Sequence, residues 1–340
     1  MHPFFEPLSP KETMLLLTAL TVGGREEIDL FELLPREMNE RLSEKADKLL
    51  EIPAEKRVQF MVKEMKQALN SNGLSGLEFI DPSWLVHELN GESPQIVACI
   101  LVKLPTPIVK SILKRLPNEI REALPSKKTI RQISSEAEQT VRQLFLARFH
   151  PMPLRPAKEL SFTDLIFLER SDLLSLISGL GMTELGQAFV SVGPLALKEF
   201  CRRLPKDKQE VLISATTSAS VVSDPTELKS AQRFLSRTQV NFEDPDKFFH
   251  KAGLWRLAKS ILSETPTYHR QFAQRLPRGP GIILLEYIEK MKVMEDLTPD
   301  LIYHFQDSAL RKMRAFSTQG LIHSGWANHS FQFHNPDVVE

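Results

Sequence analysis

The chain has 340 residues, 43 of them basic and 43 acidic, so its formal net charge is zero. Hydrophobic residues make up 42% and charged residues 25%, a balance too apolar for a disordered protein. Neutrality gives no support to a nucleic-acid partner or to an anionic membrane surface, and the length allows two or three compact units.

Residues 13–20 are apolar behind a Ser9-Pro10 start, and Gly23-Gly24 breaks them. Residues 28–34 stop at Pro35. Residues 36–52 read as an amphipathic helix, and residues 54–69 as another, with Val58, Met61, Val62, Met65 and Leu69 on one face. The first residues lack the charged start and apolar run of a secretion signal. Apolar runs fall short of the ~18 residues that span a bilayer, so no direct membrane insertion is expected.

Phe79-Ile80-Asp81-Pro82 opens a second unit, in which Trp84, Leu85 and Leu89 form a short apolar face. Residues 93–125 then carry the clearest pattern. Ile96, Val97, Ile100, Leu101 and Leu104 share one spacing, and Ile108, Val109, Ile112, Leu113 and Leu116 repeat it. This is the stripe of a helix with one buried face. Ser93-Pro94 and Thr106-Pro107 are start signals, and Leu-Pro ends each helix. Helices of this length are unstable alone and must stack. Residues 127–149 read as a longer helix, followed by the proline-rich stretch 150–156.

Residues 160–192 read as three short helices, broken near Glu169-Arg170-Ser171 and at 179–181. Helices follow over 194–205 and 206–213. Residues 216–223, TTSASVVS, read as a loop. Asp224-Pro225 caps a helix over 227–237, and Phe242-Glu243-Asp244-Pro245 begins a last unit through 254–262, 266–277 and 282–293. Beyond Phe316 the chain turns polar and is expected to fray. No segment alternates with the period of a half-buried strand. The expected fold class is all-α: short stacked helices, armadillo-like, in several small domains. The expected units are 1–73, 77–149, a linker at 150–159, 160–240, 241–316 and a flexible tail at 317–340.

Three helices end in similar words: Lys114-Arg115-Leu116-Pro117, Arg202-Arg203-Leu204-Pro205 and Gln274-Arg275-Leu276-Pro277. The recurrence reads as degenerate helical repeats. The alternative is that helical proteins often stop helices with proline. The basic residues suit a helix C-terminus on dipole grounds alone.

Catalytic signatures are missing. The sequence has no phosphate loop, dinucleotide fingerprint, HExxH or nucleophile elbow, and no CxxC pair for zinc. Cys99 and Cys201 sit in apolar patterns and read as buried free thiols. His323, His329 and His334 fit no ligand spacing and read as a solvated tail. Lys127, Lys128 and Arg131 form a basic cluster without aromatics. The expectation is therefore no enzyme, no cofactor and no metal, but a protein that binds other proteins.

Glu92-Ser93-Pro94-Gln95, ahead of an apolar helix, resembles the Glu-His-Pro-Gln motif of the flagellar rotor switch family FliG. Phe162-Thr163-Asp164-Leu165, Glu169-Arg170-Ser171 and Leu197-Lys198-Glu199-Phe200 resemble words of that family's C-terminal helical domain. The resemblance covers about residues 10–240. It implies a cytoplasmic adaptor, repeated in a ring, with two protein partners: an inner-membrane ring protein and a cytoplasmic ring subunit. It points to Glu92, Pro94 and Gln95 as partner-binding residues, and to Leu160 and Phe162 at a hinge. Departures accompany it. Ser93 replaces the motif histidine, only Phe162 of the hinge word is kept, and Val190, Asp207, Ser214 and Ala215 stand at the torque-bearing charges. These imply a scaffold without the motor, as at the base of a type III secretion apparatus. A general helical scaffold unrelated to secretion is the alternative reading.

Overall fold

The computed structural model describes residues 12, 15–17, 19–20, 31, 34, 36–50, 74, 76–125, 134–150 and 160–334, the last span without 223, 239–243, 295–296 and 329. Among the described residues every regular element is helical, and the one extended pairing is an isolated parallel bridge between Leu160 and Phe331. The chain is all-α in these residues. The expected helix over 54–69 and the linker at 151–159 lie outside them.

Helix α1 spans Arg36–Leu50. Its Leu42, Ala46 and Leu49 pack with Leu16, Leu17, Leu20 and Phe31. The second body comprises α2 (Pro82–Leu89), α3 (Pro94–Leu101), α4 (Thr106–Leu113), α5 (Asn118–Glu122) and α6 (Ser135–Leu146). Asp81 caps α2 by accepting from the Ser83 amide at 2.9 Å, and Ser93 caps α3 by accepting from the Ile96 amide at 3.5 Å. Proline then occupies the first turn of each helix, where no amide is needed. Residues 126–133 are not described, and α6 starts at the Ser134 cap. The striped residues Val97, Ile100, Ile112 and Leu116 enter one core with Phe145 and Phe149 of the α6 end.

The third body holds α7 (Arg170–Val192), α8 (Pro194–Cys201), α9 (Lys206–Val222), α10 (Pro225–Arg237), α11 (Pro245–Ser260), α12 (Pro266–Arg275), α13 (Arg278–Lys292) and α14 (Pro299–Thr318). Here the division expected at 240/241 fails. Phe200, Phe234, Phe248 and Trp255 form a chain of rings with centroids 5.3–5.9 Å apart. Residues from both sides of Val240 therefore share one core. Each fully buried Phe is worth roughly 1.5–3 kcal/mol, so this ring chain binds the two stretches into one body.

Three further expectations are corrected. Residues 170–192 form one helix, not two pieces broken at 179–181. A β-carbon on Gly181 would lie 2.0 Å from the Phe249 carbonyl oxygen, and one on Gly253 would lie 1.9 Å from the Ile177 carbonyl oxygen. The glycines are there because α7 and α11 cross backbone to backbone. Residues 216–222 continue α9. Leu212 and Ala219 are buried, and the Thr216 and Thr217 hydroxyls donate to the Leu212 and Ile213 carbonyls at 2.9 Å. Small apolar residues carry this inner face, which is why the stretch read as a loop. The tail does not fray as far as Phe333. Ile322 and Trp326 are buried, the His323 amide donates to Asp172, and the His334 ring stacks on Tyr303 with centroids 4.4 Å apart.

At 23 residues, or about 34 Å, α7 is long and apolar enough to cross a membrane by length and composition, contrary to the expectation that no segment is. Yet 67% of its apolar window is buried in the protein. It also carries Glu184, fully buried and paired with two cations of α11. This is the central helix of a packed body.

Candidate partner-binding surfaces

The edge at the start of α3 is built by local chemistry. Arg148, just past α6, donates to Glu92 Oε1 at 2.5 Å, and its other nitrogen lies 3.5 Å from a Glu88 carboxylate oxygen. At the far end of the same helix pair, Lys103 meets Glu138 at 3.0 Å. The two ion pairs hold α3 and α6 side by side and antiparallel. Glu92 is thereby engaged within the chain. Ser93 and Gln95 remain exposed and Pro94 is half-buried, so the outward part of the motif is Ser93-Pro94-Gln95.

The two hinge candidates behave differently. Leu160 is 4% exposed and Phe162 2% exposed, and both lie in the third core. The Leu160 amide donates to the Ser330 carbonyl, and its own carbonyl accepts from Gln332. A residue so enclosed cannot offer a docking surface, so these two are corrected to core residues. Their apolar type on a short turn gave no signal separating the two roles.

A second arrangement was not foreseen. The second and third bodies meet along a polar seam. The Asp81 amide donates to Gln274 O at 2.8 Å, the Trp84 indole Nε1 donates to Leu276 O at 3.0 Å, and the Arg278 amide donates to Ser83 Oγ at 2.8 Å. Arg275 donates to three carbonyls: Ile166 at 3.0 Å, Leu168 at 2.5 Å and Phe79 at 2.6 Å. Buried Asp81 faces Arg170 at 2.6 Å. Gly281 leaves room for Trp84, because a β-carbon there would lie 2.8 Å from the indole ring. The sequence did show a basic residue before Leu276-Pro277. Helix-dipole grounds alone account for a basic residue there, whereas the Arg275 guanidinium bonds carbonyls outside its own helix.

A third arrangement is a buried ion cluster. Glu184 of α7 receives Lys259 at 2.5 Å and Arg256 at 3.3 Å. Arg256 also donates to Gln187 at 2.7 Å and Ser308 at 3.0 Å, and lies 3.6 Å from Glu227 of α10. His304 of α14 lies 3.1 Å from Glu227. Burial pushes the Glu227 carboxyl upward. The His304 hydrogen bond and the Arg256 charge oppose this and leave it at about 2. Burial pulls Lys259 below its ordinary value, against the attraction of Glu184. The cluster joins α7, α10, α11 and α14. Such pairs cost desolvation and fix one arrangement of the helices. The signal was present, since Glu184 and Arg256 interrupt apolar stripes.

Burial raises both thiols, Cys99 with help from the Glu138 charge, so neither is a poised nucleophile. Among the described residues, no three His, Cys, Asp or Glu side chains converge as a metal set.

Comparison with known protein families finds no match, and no curated protein matches the chain. Among solved structures, the chain is similar to the crystal structure of a FliG fragment from H. pylori, at 12% identity and a TM-score of 0.20, over 72% of this chain and 93% of that one. At that score the likeness carries no assignment.

Proposed function

We propose that this protein is a non-enzymatic structural adaptor of the FliG kind. It stands at the cytoplasmic base of a type III secretion or flagellar basal body, in multiple copies, and links an inner-membrane ring protein to a cytoplasmic ring. The observation that supports this reading is the motif edge. Ser93-Pro94-Gln95 begins α3 as a capped, outward-facing helix start, with Glu92 anchored behind it by Arg148. The face of α9 supports the absence of a motor role. From Val211 to the end of this helix there is no charged residue, although Val211, Ile213 and Val221 are exposed.

The test is co-purification of the full chain with each of the two ring proteins. Retention by either, lost on Gln95→Arg in a chain with unchanged helical circular dichroism, supports the reading. A folded chain retained by neither overturns it.

A second reading, a helical scaffold unrelated to secretion, has one observation in its favour. Residues 160–240 do not form a domain of their own but share a core with the residues that follow. On this reading other proteins bind, and Gln95→Arg leaves their binding unchanged.

A further inference from the structure

A pocket of about 610 Å³ opens where the end of α10 meets α11 and α13. Arg237, Lys251 and Lys290 line it, against Glu286 as the one acid. Its local charge is therefore strongly positive in a chain whose total is zero. Among the described residues neither Arg237 nor Lys251 is paired with a carboxylate. Lys290 stands over the Tyr287 ring at 5.6 Å.

Aromatic rings complete the lining. Trp255 and Tyr287 meet edge to face with centroids 5.0 Å apart. The Tyr287 hydroxyl is engaged with Thr238. Trp255 is 1% exposed and forms the floor of the pocket with its ring. The volume lies within the ~300–1,000 Å³ common for small-ligand sites. An excess of cations over acids and a ring-lined wall ask for the same complement: a compact group that carries negative charge on an organic body.

We propose that this pocket binds a small organic dianion, a dicarboxylate or a phosphate ester. Arg237 offers a planar fork to one anionic group. Lys251 and Lys290 supply charge to the other, and the ligand body lies against Trp255 and Tyr287. The site is separate from the α3 edge and from the seam. It adds ligand binding to a protein otherwise read as a scaffold.

The experiment is isothermal titration calorimetry on the full chain at low salt, with inorganic pyrophosphate and succinate as probes. Saturable one-to-one binding of either probe is expected, and the tighter probe identifies the anion as phosphate or carboxylate. Lys251→Met, which keeps the apolar stem, weakens that binding about tenfold or more. Arg202→Met, outside the pocket lining, leaves it unchanged. Should Lys251→Met fail to fold by circular dichroism, the exposed Lys290→Met gives the same readout. No saturable heat from either probe at millimolar concentration overturns the proposal. So does equal affinity in the wild type and in the folded lysine variant.

Discussion

Among the described residues, two clusters hold cations by different means, one fully buried and one partly buried. In the ion cluster, Arg256 and Lys259 face the carboxylates of Glu184 and Glu227. At the seam, Arg275 has no carboxylate within ion-pair distance among the described residues and is held by three backbone carbonyls. The first arrangement is a balance of full charges deep in one body. The second matches one charge to backbone dipoles where two bodies meet. The first is costly to disturb and titrates with acid. The second is milder, and its acceptors do not titrate.

Five changes test this contrast. Glu184→Gln leaves Arg256 and Lys259 with one carboxylate between them. A loss of about 3–5 kcal/mol is expected in urea unfolding. A loss under about 1 kcal/mol would mean the cluster reorganises.

Acid is the next probe. The Glu227 carboxyl is depressed from 4.5 to about 2. Its stabilising contribution is complete above the ordinary value and disappears as pH falls from 4.5 toward 2. The shift corresponds to about 3 kcal/mol. Unfolding free energies across that window show whether Glu227→Gln flattens the slope, which is the expected outcome.

Arg275→Met removes three charge-assisted hydrogen bonds at the seam and costs about 2–3 kcal/mol. Its distinctive sign is faster limited proteolysis around residue 150, with the third body intact. Arg202 stands in the equivalent Leu-Pro word, but it is 62% exposed and paired with Glu199 on its own helix. Arg202→Met is expected to change stability by less than about 0.5 kcal/mol. Trp84→Phe keeps the ring against Gly281 and loses one bond to Leu276 O. It costs about 1 kcal/mol and leaves the proteolysis pattern near that of the wild type.

The three Leu-Pro words show how far the sequence could be read. Caps, proline starts and leucine stops are local, and they were legible to within a residue or two at Asp81-Pro82 and Ser93-Pro94. Which corner is covered was not legible, because the cover arrives from far along the chain. Trp84 meets Leu276 across 192 positions, while Leu204 O is taken by Gln209 of the adjoining helix. Gly181 looked like a breaker because its purpose lies in Phe249. Residues 216–222 looked like a loop because Ala219 fills an inner position without bulk. Of the proposed docking residues, only the α3 edge had a readable outward direction, since it begins a helix whose stripe faces inward.

The pairing at Leu160 has a mechanical consequence. Its amide and carbonyl are both engaged by residues 330–332, so the third body begins and nearly ends at one neck. Tension drawn along the chain from the two sides would enter and leave through those two hydrogen bonds.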